Sequence, residues 1–130
     1  MRIAERIHAY AWGFDERRVD VLRGCFAEDA VWGGSMAGRE SVGPVHGADA
    51  IIEFLTSYWP RQADQRRHYM LNLEVDPVTA SEVLATTSLL LTAVEKRLEI
   101  VLTSFYRFRL VEQDGRWLIA DLFEGGDTVY

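Results

Sequence analysis

Three side chains in this 130-residue chain combine types and positions that could move a proton: Asp15 and Tyr10 in HAYAWGFDERR (8–18), and His68 in RRHYMLNLEV (66–75). A neutral histidine suits the role of general base near neutral pH, because its reference pKa is about 6.5. A carboxylate on its other ring nitrogen would hold the tautomer and stabilise the imidazolium formed as the proton is taken. Such a base contributes about 10²–10⁴-fold in rate. A tyrosine facing the same space could polarise a carbonyl or assist a departing oxygen. Asp15, His68 and Tyr10 would then form an acid–base set that needs neither metal nor cofactor.

Those groups do chemistry only if the surrounding elements enclose them. Ile3, Ile7, Ala11 and Phe14 recur at helical spacing, so residues 2–15 read as an amphipathic helix. On that helix Tyr10 and Asp15 lie about 140° apart, one on each side of the apolar stripe. Both can point into a cavity only if a sheet curls around the helix; otherwise Asp15 simply ends the helix in water. A second short helix is expected over Val19 to Phe26, with Val19, Leu22 and Phe26 inward. EDAVWGG (28–34) reads as a short strand. Residues 33–47 hold five glycines and a proline and read as a long loop, either a lid or a plain connection. GADAIIEFLTSYW (47–59) predicts a third helix stopped by Pro60.

Beyond it the period changes from helix to strand, with strands at 66–75, 81–94, 98–112 and 115–123. Glu95-Lys96-Arg97 and Gln113-Asp114-Gly115 supply hairpin turns. Helices followed by a run of antiparallel strands make an α+β domain spanning 1–130. Alternation in the first of these strands puts His68, Met70, Asn72 and Glu74 on one face and Tyr69, Leu71, Leu73 and Val75 on the other. If both faces are covered, His68, Met70 and Asn72 line a pocket with Phe14, and Trp32, Trp59 and Tyr106 complete an apolar or aromatic lining. Packing alone is the commoner role for each aromatic, and for Trp12.

Composition narrows the partners. With 20 acidic and 14 basic residues the chain carries a formal charge of −6, which argues against nucleic acid or an anionic membrane surface. Cys25 is the sole cysteine, so no internal disulfide forms, and among helix-face hydrophobes it reads as a packing residue. MRIAERIHAY lacks the apolar core of a signal peptide, and VLATTSLLLTAV (83–94) is too short to span a bilayer as a helix. A cytoplasmic location is expected. His8 and His46 are read as surface groups. No paired histidine spacing, nucleophile elbow, phosphate loop or dinucleotide fingerprint is present.

Tyr10-x₄-Asp15, CFAEDAVW, HGADAIIEFL, RRHYMLN and SFYRFRLVEQDGRWLI, in this order and spacing, resemble the SnoaL-like branch of the nuclear-transport-factor-2 superfamily. The resemblance covers nearly the whole chain. It implies a cone in which a curved, mainly antiparallel sheet wraps three helices around an internal pocket, assembled as a homodimer or homotrimer. The site pattern is similar to that of bile acid 7α-dehydratase, scytalone dehydratase and hexachlorocyclohexane dehydrochlorinase. It implies a histidine base at His68, its aspartate partner at Asp15 and, as in the bile acid enzyme, a tyrosine at Tyr10. The function implied is a cofactor-free lyase or double-bond isomerase acting on a small apolar alcohol or ketone, polycyclic ones included. A polyketide-type cyclase and a non-catalytic ligand-binding or assembly subunit share the fold. Two departures stand out. Only Thr86, Thr87 or Ser88 offers a polar group on the next strand, and Asp121 and Glu124 stand where many relatives place an arginine.

Overall fold

A computed structural model describes residues 2–38 and 40–128. Helix α1 (Ile3–Asp15) is followed by α2 (Val19–Gly24), the hairpin β1 (Phe26–Met36) and β2 (Glu40–His46), and α3 (Ala48–Thr56). A 3₁₀ turn at Trp59–Arg61 leads into β3 (Gln65–Thr79), β4 (Glu82–Val94), β5 (Leu98–Gln113) and β6 (Arg116–Gly126). The six strands form one curved sheet in the order β2-β1-β6-β5-β4-β3. All pairs are antiparallel except β1 with β6, which is parallel. The α+β expectation with a sheet wrapped around helices holds.

The helices bury the stripe their spacing announces. Ile7, Tyr10 and Ala11 of α1 and Ile51, Ile52 and Leu55 of α3 join Leu22, Phe26, Leu89, Phe108, Leu110, Ile119 and Leu122 in one core. Over residues 83–89 of β4 the alternation is strict: Val83, Ala85, Thr87 and Leu89 face the helices, while Leu84, Thr86 and Ser88 face out. Cys25 is fully buried, its thiol donating to the Val21 carbonyl, so it packs as expected.

Several boundaries differ from expectation. Residues 33–47 are not a loop: β1 runs on to Met36 and pairs with β2 through a bulge near Gly33. Gly34 serves a close approach of strands, since a Cβ there would sit 2.7 Å from the Glu124 carbonyl oxygen. Pro44 is tolerated because β2 is an edge strand. Helix α2 ends at Gly24, leaving Phe26 to open β1, and Val19 is exposed rather than inward. Helix α3 stops at Thr56, before Pro60. There Thr56 and Ser57 hydroxyls bond back to the Ile52 and Phe54 carbonyls, a competing bond that favours a helix end.

Candidate active site

The C-terminal end of α1 is stitched to the start of β3. Gln65 Nε2 donates to the Asp15 carbonyl (3.2 Å), Arg67 pairs with Glu16 (3.0 Å), and Arg17 donates to the Gln62 carbonyl. These contacts bring two residues 53 apart in sequence face to face. Asp15 Oδ2 accepts the backbone N–H of His68 at 2.7 Å, and Oδ1 meets His68 Nδ1 at 2.5 Å. Both side chains are only 6% exposed. Asp15 closes α1, where the helix dipole disfavours a negative charge by about 0.3–1 kcal/mol, and the last turn has no basic residue to offset it. The two N–H donors of His68 supply that compensation. A carboxylate can accept only from an N–H, so Nδ1 carries a proton and, in the neutral imidazole, Nε2 keeps the lone pair. The Phe14 ring lies against the imidazole at 4.6 Å between centroids, tilted by 33°, and fixes its plane.

Beyond His68 lies a cavity of about 180 Å³ between helices and sheet. Tyr10, Phe14, Trp32, Phe54, Tyr106 and Glu124 line its inner part, and Tyr58, Gln62 and Arg66 also border it. Its size slightly exceeds the roughly 150 Å³ cavity that binds benzene in a well-studied protein. That is room for at least one ring. Aromatic packing takes the remaining space: the Tyr10 ring meets Phe14, Phe26 and Tyr106 edge-on, each at 5.9 Å.

Tyr10 is completely buried, and its hydroxyl lacks a well-aligned hydrogen bond, as does Trp32 Nε1. Burial, with Glu124 nearby, pushes the Tyr10 hydroxyl well above the ordinary phenol range, although Tyr106 and Trp32 pull the other way. The phenol therefore keeps its proton and can serve as a hydrogen-bond donor.

The structure brings Tyr10, Phe14, Trp32, His68 and Tyr106 to the cavity, and leaves other expected residues out of it. Asn72 has φ +56° at a break in the β3–β4 register, which carries it off the alternation begun by His68. It is exposed, and its amide reaches Ser88 on the outer surface (3.4 Å). Met70 borders an outer cleft with His8 and Trp12, which Asp15 and His68 also line. Trp59 stands behind Phe14 at 6.4 Å, and Arg17 lies over its ring. Trp12 is 54% exposed, and His8 and His46 are exposed as expected.

Asp121 and Glu124 separate cleanly. Asp121 faces outward, paired with Arg109 at 2.5 Å. Glu124 faces inward, where Ser104 Oγ donates to its Oε2 at 3.1 Å. Burial raises its pKa against the opposing pull of His68 and the Ser104 hydrogen bond. Period-two alternation with the buried Leu122 carries the signal that assigns Glu124 to the pocket, and reading the two acids together hides it. Thr87 is the inward member of Thr86, Thr87 and Ser88, and its hydroxyl is buried without a partner.

No curated protein matches this sequence significantly. Among solved structures, a Catenulispora acidiphila protein in complex with S-DNPA is 26% identical, with TM-score 0.82, covering 96% of this chain and 90% of that one. Hexachlorocyclohexane dehydrochlorinase LinA-type3 of Novosphingobium barchaimii is 22% identical, with TM-score 0.78, covering 96% and 84%. ActVI-ORFA of Streptomyces coelicolor is 19% identical, with TM-score 0.81, covering 98% and 96%. At these last two identities the likeness speaks to fold. Among the described residues no helix is long and apolar enough to cross a membrane. The SnoaL-like domain model matches residues 2–122, almost the entire chain, and the protein belongs to that family.

Proposed function

We propose that this protein is an acid–base enzyme, a lyase or double-bond isomerase, acting on a small neutral alcohol or ketone with at least one ring. The observation that carries the reading is the twofold contact of Asp15 with His68 beside an apolar cavity. His68 Nε2 removes a carbon-bound proton. Asp15 holds the productive tautomer and stabilises the imidazolium as it forms. Tyr10, kept protonated by burial, donates a hydrogen bond to the substrate oxygen as negative charge develops there. A purely structural assembly subunit would have no need for an open cavity beside a carboxylate-oriented imidazole. Cyclisation starts from the same proton removal, but must fold a longer chain into the same space, so about 180 Å³ favours elimination or isomerisation.

The test is exchange of the α-protons of cyclohexanone in D₂O, followed by NMR, for wild type and His68→Ala. Wild type should exchange at least 10²-fold faster, taking the low end of about 10²–10⁴ for a positioned base. Equal rates in a folded variant would remove His68 as the base.

A further inference from the structure

An acid–base reaction at a carbon next to an oxygen function needs a group on the oxygen as well as a base on the carbon. Glu124 occupies the same cavity as His68, yet reaches it from β6, with β5 and β4 between that strand and β3. Its backbone is held on both sides, by Tyr106 of β5 and by Gly34 of β1, where the absent Cβ lets the strands close. Ser104 Oγ donates to Oε2 and so anchors the carboxyl group at the cavity wall.

We propose that Glu124 is a second substrate-oxygen group of this pocket beside Tyr10, a carboxylic acid that donates its proton or a hydrogen bond to a hydroxyl, carbonyl or carboxyl oxygen of the bound molecule. This rests on the acid–base reading and assigns its second partner. In an elimination the C–H bond breaks toward His68 and its electrons form the C=C bond. The C–O bond breaks toward oxygen, which takes the Glu124 proton and leaves as water. His68 is then an imidazolium and Glu124 a carboxylate, and proton exchange with solvent restores both. In an isomerisation Glu124 only hydrogen-bonds the carbonyl oxygen, and His68 returns its proton to a second carbon.

The charged and titratable groups around Glu124 are few. His68 of β3 faces it from across the cavity with Asp15 behind, and Tyr10 of α1 stays neutral. Arg66 of β3 also lines the cavity, and is already paired with Asp64 at 3.0 Å. Tyr58, just beyond α3, and Tyr106 of β5 complete the set among the described residues. Burial favours the neutral form of Glu124 over an extended pH range. An anionic ligand should therefore bind while Glu124 keeps its proton, and be rejected once the proton leaves.

Benzoate, with benzyl alcohol as the neutral control, tests this by NMR titration across pH, without any turnover. Benzoate affinity for wild type should fall about tenfold per pH unit once Glu124 ionises, since each unit is 1.36 kcal/mol of linkage. Glu124→Gln, which keeps a donor and cannot ionise, should lose that fall, and benzyl alcohol should show little of it. The ¹³C shift of the Glu124 carboxyl in wild type should titrate over the same range, a readout independent of the variant's folding. A fall of equal slope in Glu124→Gln would assign the dependence to His68 and overturn the proposal. So would a Glu124 carboxyl that is ionised throughout. Failure of cyclohexanone exchange with the benzoate linkage intact would instead reject the catalytic reading and leave Glu124 as a ligand-selecting acid.

Discussion

Replacing Asp15 by Asn probes the arrangement at its most constrained point. The carboxylate accepts from two donors, the His68 backbone N–H and His68 Nδ1. An asparagine offers one oxygen and one NH₂, and the backbone N–H cannot change its proton. The amide therefore turns its oxygen to the backbone and its NH₂ to Nδ1. That hydrogen bond demands an unprotonated Nδ1, so the proton moves to Nε2 and the base loses its lone pair. The opposite amide orientation would leave NH₂ against a buried N–H, which costs about 1–3 kcal/mol. At about 1.4 kcal/mol per decade this favours the wrong tautomer roughly 5- to 140-fold. Loss of the charge that stabilises the imidazolium adds to it, so the total falls within about 10²–10⁴-fold in proton abstraction. Two-bond ¹⁵N–¹H correlations of the imidazole read the tautomer directly, and cyclohexanone exchange in D₂O reads the rate. A variant with Nδ1 still protonated and exchange undiminished would refute the reasoning.

Tyr10→Phe deletes a buried hydroxyl without a well-aligned partner, so thermal unfolding should show a protein at least as stable as wild type, while ketone exchange slows less than in His68→Ala. Loss of stability would mean that the hydroxyl is well bonded. Glu124 has its pKa raised in the folded state, so its stabilising contribution is complete below the unfolded carboxylate range and is lost as pH rises through the raised value. Denaturant titrations should accordingly show wild type falling behind Glu124→Gln on going from acid to alkaline pH; parallel curves would contradict the burial argument. Gly34→Ala places a Cβ 2.7 Å from the Glu124 backbone oxygen, and should cost about 1–3 kcal/mol by forcing β1 and β6 apart. An unchanged midpoint of unfolding would show that the strands have slack there.

Much of the architecture is written in short-range pattern. The stripe Ile3, Ile7, Ala11 and Phe14 makes α1, and the alternation over the first half of β4 sorts Thr87 inward from Thr86 and Ser88 outward. Where the pattern is interrupted the reading fails. Glycines at 33, 34, 38, 43 and 47 carry the composition of a loop, yet Gly34 and Gly43 sit in paired strands where a neighbouring backbone leaves no easy room for a side chain. Asn72 follows His68 at an even interval, but a positive φ and a register break turn it to solvent. Neither feature has a local signature, because each is set by the strand alongside.

The candidate site divides along the same line. Residue chemistry and period alone nominate Asp15, His68 and Tyr10, since a carboxylate and a phenol flanking an apolar stripe call for an enclosed partner. Contact between Asp15 and His68 depends on how the end of α1 is tied to β3, an interaction across 53 residues. The width of the cavity is equally non-local: aromatic rings from both helices and the sheet leave about 180 Å³. Glu124 joins His68 only because the sheet curls enough for β6 and β3 to share one interior. The sequence by itself determines which faces are apolar and which groups can exchange protons, because these follow from side-chain type and backbone period. Which of those groups meet, and in how dry a space, is decided by the closure of the sheet over the helices, a property of the folded chain as a whole.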